Sequence, residues 1–255
     1  MKFIAIANQK GGVGKTTTAI NLAAALSEAG HRTLLLDLDP QANATTGLGL
    51  TLEDGASIYP VMIGAREVSA QIRATTQERL SIIPSERDLV GCEIEIARLD
   101  NPQYRLKEVL RPLRASQSFD YLIMDCPPSL GILMINSLVA ADGLLIPVQS
   151  EFYALEGISK ILDLTKRMRE QGLNPELNLI GVLLTMFDAR TRLSQQVLTE
   201  LQSHLPDKVF TAIIPRSIRL GEAPSFGQSI LQYDPHGLGA HSYRQLAAEF
   251  VTRVQ

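Results

Sequence analysis

Eight consecutive residues, Lys10-Gly11-Gly12-Val13-Gly14-Lys15-Thr16-Thr17, carry the most specific chemistry in the chain. Holding an anion takes several N–H groups aimed at one point, and glycines let a backbone curl far enough to provide them. Lys15 has the reach to set an ammonium on the outer phosphates of a nucleotide, and the Thr16 hydroxyl is a fitting ligand for Mg²⁺. The loop departs from the ordinary pattern in two places: Gln9 stands where a glycine is usual, and a second lysine, Lys10, lies inside it. Lys15 already supplies one cation to the phosphates. Lys10 is therefore expected to point away from its own nucleotide and toward another, shared between two subunits.

Such a loop works only if the chain delivers it at the end of a strand and starts a helix directly after it. Both elements are legible. The apolar run Phe3-Ile4-Ala5-Ile6-Ala7 precedes it, and Ala19, Ile20, Leu22, Ala23 and Leu26 follow at helical spacing with Gly30 as a stop. Further strands are predicted at 33–37, 80–83, 121–124, 144–148, 179–184 and 209–214. Helices are predicted through Val90, Ile94 and Ala97 with Ser85 as the cap, from Pro102 to about Arg114, over the apolar segment 132–139, from Glu151 to Gln171 with Gly172 closing it, and through Tyr243, Leu246, Ala247, Phe250 and Val254. Unbroken Val/Ile/Leu runs indicate strands buried on both faces. The fold class is therefore α/β: a doubly wound, mostly parallel sheet with helices on both faces, in one domain over residues 1–255. The stretch 40–77 reads as a long irregular loop, a kind that tends to be functional.

Composition narrows the function classes. The chain has 255 residues, 45% hydrophobic and 20% charged, with a formal net charge of −3. It is not broadly basic, so any nucleic-acid contact must come from a local patch. No segment has the apolar length of a membrane span, and the first strand begins at once with no signal peptide ahead of it, which together predict a cytoplasmic protein. Two cysteines, Cys92 and Cys126, fit a reducing compartment. A dimer would hold four, enough for a bridging iron–sulfur cluster. Their apolar settings favour small buried side chains instead.

Hydrolysis of a nucleotide needs groups beyond the cradle. Asp125 ends a buried strand, at the edge where ligands bind in open α/β sheets, and is assigned to Mg²⁺ through a water. Asp39, at the start of a loop, is assigned to the attacking water. Asp37 reads equally as a supporting group or as a satisfied strand-end carboxylate. Arg190 and Arg192 follow one strand end, Arg216 and Arg219 another. They form either a phosphate-binding patch or a solvated face with local ion pairs to Asp188 and Glu222.

Taken together, Lys10 to Thr17, Asp37-Leu38-Asp39-Pro40-Gln41-Ala42-Asn43, Asp125-Cys126-Pro127-Pro128-Ser129-Leu130-Gly131, Pro147-Val148-Gln149, Tyr153-Ala154-Leu155-Glu156-Gly157, Gly181-Val182-Leu183-Leu184-Thr185 and Glu222-Ala223-Pro224-Ser225 resemble the ParA/Soj type of DNA-partitioning ATPase, over essentially the whole chain. The resemblance implies ATP with Mg²⁺ and an ATP-driven sandwich homodimer in which Lys10 crosses to the partner's nucleotide. It implies binding of double-stranded DNA without sequence preference, nucleoid association, and weak hydrolysis stimulated by a ParB-type centromere-binding protein or another cargo adaptor. Carried onto this chain, it gives Gly11 to Thr17 to the nucleotide, with Lys15 and Thr16 on phosphate and metal. Asp39 then supports hydrolysis, Asp125 lies in a switch, and Pro215 and Arg216 lie beside the adenine. Arg190, Arg216 and Arg219 contact DNA. Ser217 stands where family members often carry Asn. Three alternatives use the same loop: a ParA-like ATPase positioning a protein cargo, a MinD-like membrane ATPase, and a kinase for a small molecule. The last helix has no lysine cluster on its polar face, so no membrane contact is expected.

Overall fold

In the computed structural model, residues 1–51, 54–151 and 154–254 are described. Tyr153 of the motif quoted above and the terminal Gln255 lie outside them. Seven strands form one sheet: β1 (Lys2–Ile6), β2 (Thr33–Asp37), β3 (Arg73–Ala74), β4 (Leu80–Ile83), β5 (Tyr121–Asp125), β6 (Gly143–Gln149) and β7 (Asn178–Thr185), in the order β3-β4-β2-β5-β1-β6-β7. All neighbours pair in parallel except the short edge strand β3, which runs antiparallel to β4. The helices are α1 (Lys15–Glu28), α2 (Asn43–Gly47), α3 (Tyr59–Met62), α4 (Leu89–Ile96), α5 (Arg105–Val109), α6 (Arg111–Ser116), α7 (Ile132–Ala140), α8 (Ala154–Glu170), α9 (Arg192–His204), α10 (Ile218–Glu222), α11 (Ile230–Tyr233) and α12 (Leu238–Val254). None among the described residues is long and apolar enough to cross a membrane.

The strands' alternation divides the core in two. Phe3, Ala5, Leu34, Leu36, Leu122 and Met124 face one layer, packed with α4 to α8. Ile4, Ile6, Leu35 and Ile123 face the other, packed with α1 and α12. The central strands are covered on both sides, so their middle residues are apolar without a break, which is the pattern the sequence shows. The Gly30 stop holds: its φ is +99°, and the His31 N–H closes onto the Leu26 carbonyl at 3.1 Å. Gly172 closes α8 in the same way, at φ +71°.

Five expectations are corrected. Residues 209–214 are not a strand. They run beside β7 through single bridges, Val182↔Val209 and Phe187↔Pro215, because the Thr211 and Ala212 N–H groups donate to the Glu249 carboxylate instead of to a ladder. Ser85 caps nothing: α4 starts after Asp88, and the Ser85 N–H donates to Thr45 Oγ1. The stripe of α4 that faces inward is Leu89, Cys92 and Ile96, whereas Val90 and Ile94 are exposed. Both stripes have helical spacing, and spacing alone does not say which one packs. The helix expected from Pro102 to Arg114 is a 3₁₀ turn followed by α5 and α6, since Pro112 has no N–H to continue the ladder past Leu110. The stretch 40–77 holds α2, α3, a 3₁₀ turn at Val68–Gln71 and β3, so it is less irregular than expected.

Candidate nucleotide site and arginine patch

Parallel register brings three strand ends together. Ile6 pairs with Asp125, and Asp37 pairs with Asp125 from the other side. The loop that leaves β1 therefore opens beside both carboxylates. Its curl requires left-handed backbone at Gly12 (φ +75°) and Gly14 (φ +82°), where a side chain would be strained. Polar ties hold it in place. Asn8 donates to the Pro147 carbonyl at 2.8 Å and accepts the Lys10 N–H at 3.0 Å, and Thr185 Oγ1 donates to the Val13 carbonyl at 2.8 Å. The Pro147 and Thr185 ties come from β6 and β7, so the loop is held by its own protein contacts. Helix α1 has no side-chain cap and no acidic residue in its first turn, so nothing competes with an anion for its positive end.

Lys15 is buried at 7% exposure, and its ammonium donates to the Lys10 carbonyl at 3.0 Å. Burial lowers its pKa, with the negative charges of Asp125, Cys126 and Asp39 opposing the shift. Asp125 is buried at 1% exposure, and neither carboxylate oxygen has a hydrogen bond of normal geometry. Burial, then the charge of Asp37, pushes its carboxyl well above the usual range; the Thr16 hydroxyl and Lys15 pull the other way. An orphaned buried carboxylate beside a threonine hydroxyl fits a hydrated divalent cation. Among the described residues no three His, Cys, Asp or Glu side chains converge into a metal cluster, so a cation here must rely on hydroxyl, water and phosphate oxygens.

The structure separates the roles of Asp37 and Asp39. Asp37 accepts three hydrogen bonds, from the Asp39 N–H at 3.1 Å and from the N–H and hydroxyl of Thr45 at 2.9 and 2.8 Å. It is the satisfied carboxylate, although burial still pushes it up to about 6. Asp39 accepts only the Gln41 N–H, at 2.9 Å on Oδ1, and keeps its second oxygen free among the described residues. Lys10 pairs with Glu151 Oε2 at 2.5 Å. Sequence reasoning missed Thr45 and Glu151. Thr45 left a trace as the first buried hydroxyl after the Asp39 turn, whereas Glu151 is 141 residues from Lys10 and left none.

A cleft of about 420 Å³ between α1, α2 and α10 is lined by Thr16, Thr17, Asn21, Asn43, Thr46 and Pro224. A larger cavity of about 720 Å³ opens at the opposite edge of the sheet, beside Met1, Lys2 and Asn178, and shares no residue with the cradle. The loops that carry the arginines are joined. The Phe187↔Pro215 bridge, with the Arg216 N–H on the Phe187 carbonyl at 3.1 Å, joins the two loops that carry them. Arg190 pairs with Asp188, whose carboxyl Arg190 holds down to about 2 with a smaller contribution from Arg216. Arg219 pairs with Glu222 at 3.1 Å. Arg192 opens α9, and Arg192 and Arg216 are exposed without an ion pair among the described residues. Both cysteines are buried, with thiols pushed up to about 12 by burial, so they are small apolar side chains and not ready thiolates.

A strand, a glycine loop and an uncapped helix at the carboxyl edge of a parallel sheet define a P-loop nucleotide-binding protein. A sequence profile of the AAA domain matches residues 1–179. The chain is 48% identical to the chromosome partitioning protein ParA of Myxococcus xanthus, over 99% of this chain and 88% of that one. It is equally 48% identical to the chromosome-partitioning ATPase Soj of Thermus thermophilus, over 100% and 97%. Among solved structures it superposes on the cobyrinic acid a,c-diamide synthase of Mycobacterium smegmatis with bound ATP analogue and magnesium, at a TM-score of 0.88 and 34% identity over 100% and 96% of the two chains. The chain belongs to the ParA/Soj family of chromosome-partitioning ATPases, and its reaction is ATP hydrolysis.

Proposed function

We propose that residues 1–255 form one ATPase domain that partitions DNA by an ATP-gated cycle. With ATP and Mg²⁺, two copies close face to face over their nucleotides, and Lys10 exchanges Glu151 for the partner's phosphate. The closed dimer holds double-stranded DNA without sequence preference through Arg190, Arg192, Arg216 and Arg219. Hydrolysis, stimulated by a ParB-type centromere-binding protein, releases it, so the protein works in the cytoplasm on the nucleoid. The observation that carries this reading is the orphaned Asp125 beside Thr16, together with two arginine-bearing loops that the Phe187↔Pro215 bridge joins.

Residue roles follow from placement. Lys10, Gly11, Gly12, Val13, Gly14, Lys15, Thr16 and Thr17 would surround the phosphates. Thr16 and, through water, Asp125 would hold the Mg²⁺, which neutralises charge on the phosphates when bound. The free oxygen of Asp39 would orient water in line with the outer phosphate. Pro215 and Arg216, beside the end of β7, would lie along the base. A membrane role finds no support in α12: Tyr243, Leu246, Ala247 and Phe250 are buried against the α1 side of the sheet.

The test is DNA binding by Asp39→Ala with ATP and with ADP across a salt series. The variant should hold DNA with ATP, release it with ADP, and turn over little. Equal affinity in the two nucleotides would sink the cycle, and ATP-dependent pelleting with liposomes in place of DNA would favour a MinD-like protein.

A further inference from the structure

Thr45 lies in α2, a helix of five residues, yet it is 1% exposed. Its N–H and its hydroxyl both donate to Asp37 Oδ2, and its oxygen accepts the Ser85 N–H at 3.0 Å. With the acceptor side taken by Ser85, the hydroxyl proton is directed at Asp37. The other oxygen of Asp37 accepts the N–H of Asp39. These bonds close a ring: Asp37, the Asp39 backbone, the Pro40–Ala42 turn, α2, Thr45, and Asp37 again. The turn inside the ring is under tension, since Ala42 holds φ +51° and its N–H donates back to the Asp39 carbonyl at 2.8 Å.

We propose that Thr45 is a positioning residue for ATP hydrolysis: through Asp37 it fixes the Asp39 backbone, and with it the direction of the Asp39 carboxylate. This rests on Asp39 being the group that orients the attacking water. Thr45 is buried with its hydroxyl committed to Asp37 and Ser85, so it acts through Asp37. The physical reason is the strained turn. Without a buried clamp on both sides, the strained αL turn at Ala42 would relax and carry Asp39 with it, and a shift of about 1 Å at a reacting group costs on the order of a hundredfold in rate. Valine at position 45 keeps the shape and burial of threonine but deletes the hydroxyl. It leaves Asp37 one donor short and the Ser85 N–H without its acceptor.

The experiment measures single-turnover ATP hydrolysis and the affinity for a fluorescent ATP analogue, with Mg²⁺, in Thr45→Val, Thr45→Ser and Asp39→Ala. Thr45→Val should lose about tenfold to a hundredfold in rate while its affinity stays within about threefold, and Thr45→Ser, which keeps the hydroxyl, should recover most of the rate. A purely structural role would lower affinity and rate together and would not be rescued by serine; that outcome overturns the proposal. If Asp39→Ala loses turnover while Thr45→Val keeps it, the proposal fails and the role of Asp39 stands. If Asp39→Ala turns over normally, the role of Asp39 fails and the proposal falls with it. Should Thr45→Val not fold, Thr45→Ala, which leaves space instead of filling it, is judged by the same criteria.

Discussion

Replacing Asp125 with Asn should make the nucleotide-free protein more stable and, in the same step, less responsive to Mg²⁺. Asp125 is 1% exposed and both its oxygens lack partners. A buried polar group left unpaired costs about 1–3 kcal/mol, and a charged one more, with Lys15 offsetting part of it here. Asn keeps a neutral polar group there, so the variant gains only the excess cost of the charge, about 1–2 kcal/mol; at about 2–4 °C of Tm per kcal/mol for a chain of this size, a gain of roughly 2–8 °C is expected at pH 8. The sign of the pH dependence follows from the direction of the shift. Burial raises the Asp125 pKa above its unfolded value, so the folded protein binds a proton more tightly than the unfolded one. Stability is full below the ordinary carboxylate range and falls as pH rises through the folded value. Asn does not titrate, so the variant's advantage should shrink between pH 8 and pH 5, while burial still raises the Asp37 carboxyl in both proteins. Thermal melts over this range, with ATP plus Mg²⁺ and with ATP plus EDTA, measure both effects. A variant that melts below the unmodified protein at pH 8 without nucleotide, or that keeps the whole Mg²⁺-dependent increment, would refute the assignment of Asp125.

Arg190→Ala and Arg219→Ala should each weaken binding on all DNA sequences alike and reduce the slope of log affinity against log salt by about one; unchanged slopes would return both residues to their ion pairs with Asp188 and Glu222. Cys92 and Cys126, buried with thiols pushed up to about 12, should fail to react with a thiol reagent in the native protein at pH 8 and react fully once unfolded. Fast labelling of the native state would show a thiolate that the structure does not have.

The parts of the fold that the sequence makes legible are those in which local pattern and global packing agree. Strands β1, β2, β5, β6 and β7 have apolar middles because both faces are covered there, and the loop of β1 is written in its glycines. Legibility ends where a distant group decides the outcome. Residues 209–214 look like a strand, but a carboxylate on α12 takes two of their N–H groups. Val90 and Ile94 look like a core stripe, but helical spacing leaves the choice of face to tertiary contacts. In the site, the cradle and Asp125 are visible from strand ends alone. The division of labour between Asp37 and Asp39 is not, because it depends on where Thr45 sends two hydrogen bonds.

The same polar groups explain why nucleotide and metal belong together. Lys15 and Asp125 carry opposite charges in one site, yet each is pushed toward its neutral form, because burial outweighs their attraction. Lys15 spends its proton on the carbonyl of its own loop, and Asp125 has no donor. An anion alone would satisfy Lys15 and the α1 terminus but bring more negative charge toward Asp125. A cation alone would satisfy Asp125 and oppose Lys15. Only a polyphosphate carrying its cation satisfies both at once, with Thr16 between them. The cradle is thus tied in backbone by Asn8 and Thr185, and its two buried charges are both answered only by a polyphosphate that brings its cation.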